Sequence, residues 1–140
     1  MNLLFVCHGN RYRSPFAEGL MRELCLKVSC KSAGVKLPIG NFGVAKPSRD
    51  AALRRGVVLT GRSQGTSVEL LAWADTIYYM DGGNLRRLQD QFGPSEKYVC
   101  LARVLGESRI PDPAFLTGEP RDRVWQLIED ACRELKLAIE

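Results

Sequence analysis

The chain has 140 residues, 45% hydrophobic and 26% charged, with a formal net charge of +4. This is an ordinary soluble globular composition with enough residues for one cored domain over 1–140, and no apolar run approaches a membrane span. The arginines are scattered on the polar sides of helical patterns, which gives no nucleic-acid patch.

In chain order, Met1 leads directly into residues 2–6 (NLLFV), a continuous apolar run of the kind buried on both faces of a parallel sheet. There is no basic n-region or cleavage site ahead of it, so a cytoplasmic protein is expected. Ser14-Pro15 reads as a helix start, a hydroxyl N-cap followed by proline at the first helical position. Ala17, Leu20, Met21 and Leu24 then recur at helical spacing. Residues 27–32 read as a second strand, ended by Ala33-Gly34. Residues 35–46 carry a proline and two glycines and read as loop. A short helix is expected from Pro47 to Arg55, stopped by Gly56. Thr66 and Glu69 have capping-box spacing before another helix. Residues 76–80 give a third strand, Leu85, Leu88 and Phe92 an amphipathic helix, and residues 97–102 a fourth strand. Residues 103–119 are irregular. Pro120 opens a terminal helix with Val124, Ile128, Ala131 and Leu135 inward. Strands alternating with helices predict an α/β domain built on a parallel sheet, with its site beyond the C-terminal strand ends.

The five cysteines form no C-x-x-C, and His8 is the single histidine. No zinc site, metal or cofactor is expected, and the thiols should be free in a reducing compartment. Cys25, Cys30, Cys100 and Cys132 read as small buried hydrophobes. Cys7 differs because of its neighbours. It ends the first strand, and Cys7-His8-Gly9-Asn10-Arg11-Tyr12-Arg13 bridges to the helix. A tight loop there turns successive amides toward one centre at the positive end of a helix dipole. Gly9 and Asn10 tolerate the positive φ that such a loop requires. Arg13 can clasp two phosphate oxygens. The same field favours the anionic form of the Cys7 sulfur, making it a nucleophile. Ser14 can donate to that sulfur. The acid that protonates a leaving oxygen is expected to be Asp112, held between prolines in IPDPAF. His8 is expected to point outward with no acid–base role. Asp81 is expected to start a helix with Asn84 rather than to act as the acid.

With FVCHGNRYRSPFAE (5–18), SAG (32–34), MDGGN (80–84) and the Asp112-Pro113 pair, the chain resembles the low-molecular-weight protein tyrosine phosphatases over nearly its whole length. The resemblance implies a three-layer, flavodoxin-like fold, with a four-stranded parallel sheet and helices on both faces. It also implies hydrolysis of protein phosphotyrosine through a phosphocysteine on Cys7. In that scheme Arg13 and the loop amides hold the phosphoryl oxygens, Asp112 is the acid, Asn10 braces the loop and Ser14 supports the thiolate.

Three departures from the family pattern stand out. Tyr12 replaces a frequent second cysteine, so easier over-oxidation of Cys7 is expected. Arg11 replaces an apolar residue, and either lines the mouth, favouring acidic substrates, or points to solvent. Ala114-Phe115 replaces an aromatic pair. Phe42 and Phe115 are the other residues assigned to the substrate rim. The alternatives are a protein arginine phosphatase, an arsenate reductase of the same fold, or a phosphate-binding module without turnover. An arginine phosphatase carries threonine where Arg11 stands. Arsenate reduction needs two further cysteines after the third strand, and residues 81–97 contain none.

Overall fold

The apolar run at the N-terminus is covered on both faces. In a computed structural model describing residues 1–140, strand β1 (Asn2–Cys7) sends Leu3, Phe5 and Cys7 into one cluster and Leu4 and Val6 into another. Because successive strand residues face opposite ways, a strand with no polar face must lie central with a layer on each side. It does. The sheet runs β2-β1-β3-β4, all parallel, with β2 at Ser29–Gly34, β3 at Thr76–Tyr79 and β4 at Tyr98–Cys100.

The larger cluster lies under α1 (Arg13–Leu24) and α5 (Gly118–Ile139), where Phe16 meets Trp125 with ring centroids 4.8 Å apart. The short helix α2 (Lys46–Leu53) packs beside α1. The smaller cluster joins Leu4, Val6 and Ile77 to Leu88 of α4 (Gly82–Phe92), with Leu70 and Leu71 of α3 (Val68–Trp73) packed against it. The four inward residues expected of the last helix are all buried, as are all five cysteines, which are free. No helix is long and apolar enough to cross a membrane.

Several element ends differ from the sequence expectation. Helix α1 starts at Arg13 with Tyr12 at its cap position, so Ser14 lies inside the first turn and does not cap it. Its hydroxyl is committed to the site instead. The cap of α3 is Ser67, whose side chain accepts from the Leu70 amide, while Thr66 bonds Gln91. Strand β2 begins two residues later than the apolar pattern suggests, because its register is set by pairing Asn2 with Ser29. Helix α2 spans Lys46–Leu53. Cys25 is the C-cap of α1. The chain leaves β4 after Cys100 into a 3-10 helix, Leu101–Leu105, and α5 begins at Gly118, ahead of Pro120.

Candidate active site

The loop from Cys7 to Arg13 joins the C-terminal end of central β1 to the N-terminus of α1. Its carbonyls are turned outward and used. Cys7 O accepts from the Val35 amide, His8 O from Lys36, Asn10 O from Ser63 Oγ, Arg11 O from Ala45 and Tyr12 O from Ser48 Oγ. By contrast, the amides of residues 8–12 donate to no protein acceptor. A loop whose carbonyls point out and whose amides point in is an anion cradle, reinforced here by the dipole of α1.

The turn is held by Asn10, which has φ +55° and is almost fully buried. Its side-chain oxygen accepts from the Gln64 amide at 2.9 Å, and its Nδ2 donates to Ser14 Oγ and Ser32 Oγ, both at 2.9 Å. The Ser32 hydroxyl in turn donates to Glu18 at 2.5 Å. A left-handed asparagine costs about 1 kcal/mol, and three hydrogen bonds of about 1 kcal/mol each offset that. Gly34 is needed for a separate reason. A Cβ there would stand 3.0 Å from both Asn10 N and Gly9 C, so the end of β2 must be bare for the loop to close against it.

Ser14 Oγ lies 3.0 Å from Cys7 Sγ. Since Asn10 already donates to that oxygen, the hydroxyl proton is left for an acceptor. The sulfur is nearer than the alternative, Ala33 O at 3.5 Å. Cys7 is only 2% exposed, yet it lines a cavity of about 270 Å³ together with His8, Gly9, Arg11, Tyr12 and Arg13. It forms the floor of a cleft.

Arg13 is equally buried. One terminal nitrogen donates to Asp81 at 2.7 Å and to Ile110 O at 2.8 Å; the other lies 3.7 Å from Asp112. Asp81 thus has two tasks. Its Oδ1 accepts from the Asn84 amide in a capping box that starts α4, as the sequence suggested, and its Oδ2 fixes the guanidinium. Burial opposes the Asp81 charge, but the bonds from Arg13 and from the Asn84 and Gly83 amides outweigh it and hold the carboxyl below its ordinary range. Asp112 is exposed at the cleft wall, its Oδ1 fixed by the Ala114 amide at 3.0 Å. Arg121 of α5 braces that segment by donating to the carbonyls of Pro113 and Ala114.

The rim is partly as expected. Arg11 lines the cavity, lies 5.1 Å over the Phe42 ring and donates to Gly43 O, so it belongs to the mouth rather than to open solvent. Phe42 reaches the cavity only through Arg11, while Phe115 projects almost fully exposed at its edge. His8 faces the cleft, contrary to the expectation that it points outward. Burial, then the cations Arg87 and Lys36, lower its pKa below the ordinary histidine value.

The chain that builds this cradle is similar to known proteins over its whole length. The model for the family described as low molecular weight phosphotyrosine protein phosphatase matches residues 2–140. The chain belongs to that family. Among its relatives is the low molecular weight protein-tyrosine-phosphatase YfkJ of Bacillus subtilis, 29% identical over all of this chain and 96% of its own. A protein-arginine-phosphatase of the same organism is 28% identical over 97% of each chain. The tyrosine phosphatase Wzb of Escherichia coli K30, solved in complex with sulphate, superposes with a TM-score of 0.90 at 26% identity, covering 99% of this chain and 98% of its own.

The geometry of this family member adds residues that the sequence reading passed over. Ser32, Glu18 and Gln64 complete the Asn10 network, Asp81 pins Arg13, and Arg121 braces Asp112. The serine and glycine of the SAG motif were the one available signal. Gln64 and Asp81 lie far along the chain from their partners, 54 residues from Asn10 and 68 from Arg13.

Proposed function

We propose that the protein is a cysteine-dependent phosphatase that hydrolyses phosphotyrosine on protein substrates through a phosphocysteine. The observation that carries this reading is the ring of unused amides at residues 8–12 above the Cys7 sulfur, a seat for three phosphoryl oxygens.

With the phosphoryl group seated there and on Arg13, the sulfur lone pair forms an S–P bond as the P–O bond to the phenol breaks. Asp112 gives its proton to the departing oxygen. The resulting Asp112 carboxylate then takes a proton from water, whose oxygen attacks phosphorus. The S–P electrons return to sulfur, and inorganic phosphate leaves. The Ser14 hydroxyl, 3.0 Å away, donates to the sulfur in both steps. A cytoplasmic setting suits this chemistry, since it keeps Cys7 reduced.

The family also includes a protein-arginine-phosphatase. Against that activity stands Arg11, whose guanidinium at the mouth repels the positively charged group of phosphoarginine and leaves an aryl phosphate unopposed.

Turnover of phenyl phosphate and p-nitrophenyl phosphate tests the scheme. Cys7→Ser is expected to abolish both. Asp112→Ala is expected to slow phenyl phosphate, the poorer leaving group, by about 100-fold and p-nitrophenyl phosphate far less. Turnover surviving Cys7→Ser would end the covalent reading, and equal losses for Asp112→Ala would remove it as the acid.

A further inference from the structure

The thiol cavity is one lobe of a larger cleft. Past Asp112 and Phe115 the cleft continues into a second lobe of about 740 Å³, walled by Asp81, Arg86, Arg87 and Asp90 and opening on His8 and Arg13. The proposed chemistry uses neither arginine of α4. The lobe holds three arginines (Arg13, Arg86 and Arg87) and three aspartates (Asp81, Asp90 and Asp112), so its formal charges balance, but two of the aspartates are turned to Arg13. Asp81 is tied to Arg13, and Asp112 faces the same guanidinium. Elsewhere the chain pairs its helical cations at i,i+4, as in Arg22 with Glu18, Lys46 with Asp50 and Arg123 with Glu119. Arg86 has Asp90 at that spacing, yet neither it nor Arg87 forms an ion pair or donates to a protein acceptor. Lys36, on the thiol lobe, is exposed and also unpaired. Arg87 lies close enough to His8 to oppose protonation of its ring, which puts the guanidinium on the cleft side of the helix.

We infer that the second lobe is an anion subsite, in which Arg86 and Arg87 hold a carboxylate or second phosphate carried by the substrate beside its phosphorylated residue. A phosphate dianion is already served by Arg13 and the loop amides, so the unpaired cations answer to additional negative charge. The planar forks of two guanidiniums suit oxyanions of either kind. The substrate class is then an acidic or doubly phosphorylated peptide. This rests on the phosphatase reading for the identity of the first anion.

The test is calorimetric binding of non-hydrolysable peptides carrying phosphonomethyl-phenylalanine, flanked by glutamate, glutamine, lysine or phosphoserine. Wild type is compared with the Arg86→Ala/Arg87→Ala double variant. Wild type is expected to bind the glutamate-flanked peptide about tenfold more tightly than the glutamine-flanked one, with lysine weakest and the preference shrinking at high salt. The double variant is expected to lose most of the preference, the remainder belonging to Arg11 at the mouth, while turning over phenyl phosphate at the wild-type rate, which also reports that it is folded. A preference confined to phosphoserine would assign the lobe to a second phosphate. Equal affinity of wild type for all flanks, or a preference undiminished in the double variant and lost instead in Arg11→Ala, would overturn the inference. A preference in a wild-type protein that turns over no aryl phosphate would instead overturn the phosphatase reading and leave the subsite standing.

Discussion

Replacing Asp81 by asparagine should expose how much of the site depends on one carboxylate. The Arg13 side chain is 2% exposed and Asp81 25% exposed, with 2.7 Å between them. Breaking a fully buried pair costs about 3–5 kcal/mol, and losing a hydrogen bond to a charged group about 1.5–3 kcal/mol. The lower range applies here, because Asp81 is partly solvated and Ile110 O still accepts from the guanidinium. Asp81→Asn keeps the cap on α4 and should lose about 2 kcal/mol, or about 6 °C in Tm for a domain of this size. Asp81→Ala also loses the cap and should cost about 1 kcal/mol more. The pH dependence has a definite sign. The folded-state pKa of Asp81 is depressed, so its stabilisation is complete above the unfolded-state value, near 4, and is lost as pH falls through the lower folded-state value. Urea unfolding of wild type and Asp81→Asn, followed by circular dichroism, should therefore show a gap that is full at pH 7 and narrows toward pH 3. A variant within about 0.5 kcal/mol of wild type at pH 7, well under the cost expected for a charged hydrogen bond, would refute the pairing argument, as would a gap independent of pH.

Two further outcomes follow from single residues. Since burial and the cations Arg87 and Lys36 lower the pKa of His8, its ring should titrate below the ordinary value of 6.5 by proton NMR, and Arg87→Ala should move the midpoint upward; a midpoint above 6.5 in wild type would contradict this. Because residue 12 is Tyr12 and the loop after Cys7 holds no second thiol, peroxide should carry Cys7 past sulfenic acid, so thiol reductant restores only part of the activity. Full recovery, or a disulfide to Cys7 found by mass spectrometry, would count against that.

The central elements were legible because their signals are local. A continuous apolar run announced a strand with two covered faces, and Asn2–Cys7 is that strand. The C-x5-R spacing implied a loop able to close on an anion, and its amides do converge without partners. Ser14 shows the limit of such reasoning. Its hydroxyl before a proline satisfies the statistics of an N-cap, but the cradle needs that hydroxyl beside the sulfur, and the helix starts two residues earlier without a side-chain cap. Thr66 was displaced as a cap for a similar reason, its hydroxyl being drawn to Gln91 on α4. The Arg13–Asp81 pair was illegible because no spacing rule connects residues brought together only by the order of strands in the sheet, and the Arg121 brace because residues 103–119 carry no periodicity from which to place it. The orientations of Arg11 and His8 depended on a rim loop without periodicity, which only the tertiary structure resolves.

The covalent step is the claim on which the rest depends. Rapid acid quench of Asp112→Ala with p-nitrophenyl phosphate, followed by mass spectrometry of the peptide containing Cys7, addresses it directly. The leaving group needs little acid help, while loss of the carboxylate that activates water should let the intermediate accumulate. The expected result is one phosphoryl group on Cys7 and none on the corresponding peptide of a Cys7→Ala/Asp112→Ala control. Continued p-nitrophenol release with an unmodified Cys7 peptide at every quench time would contradict the account.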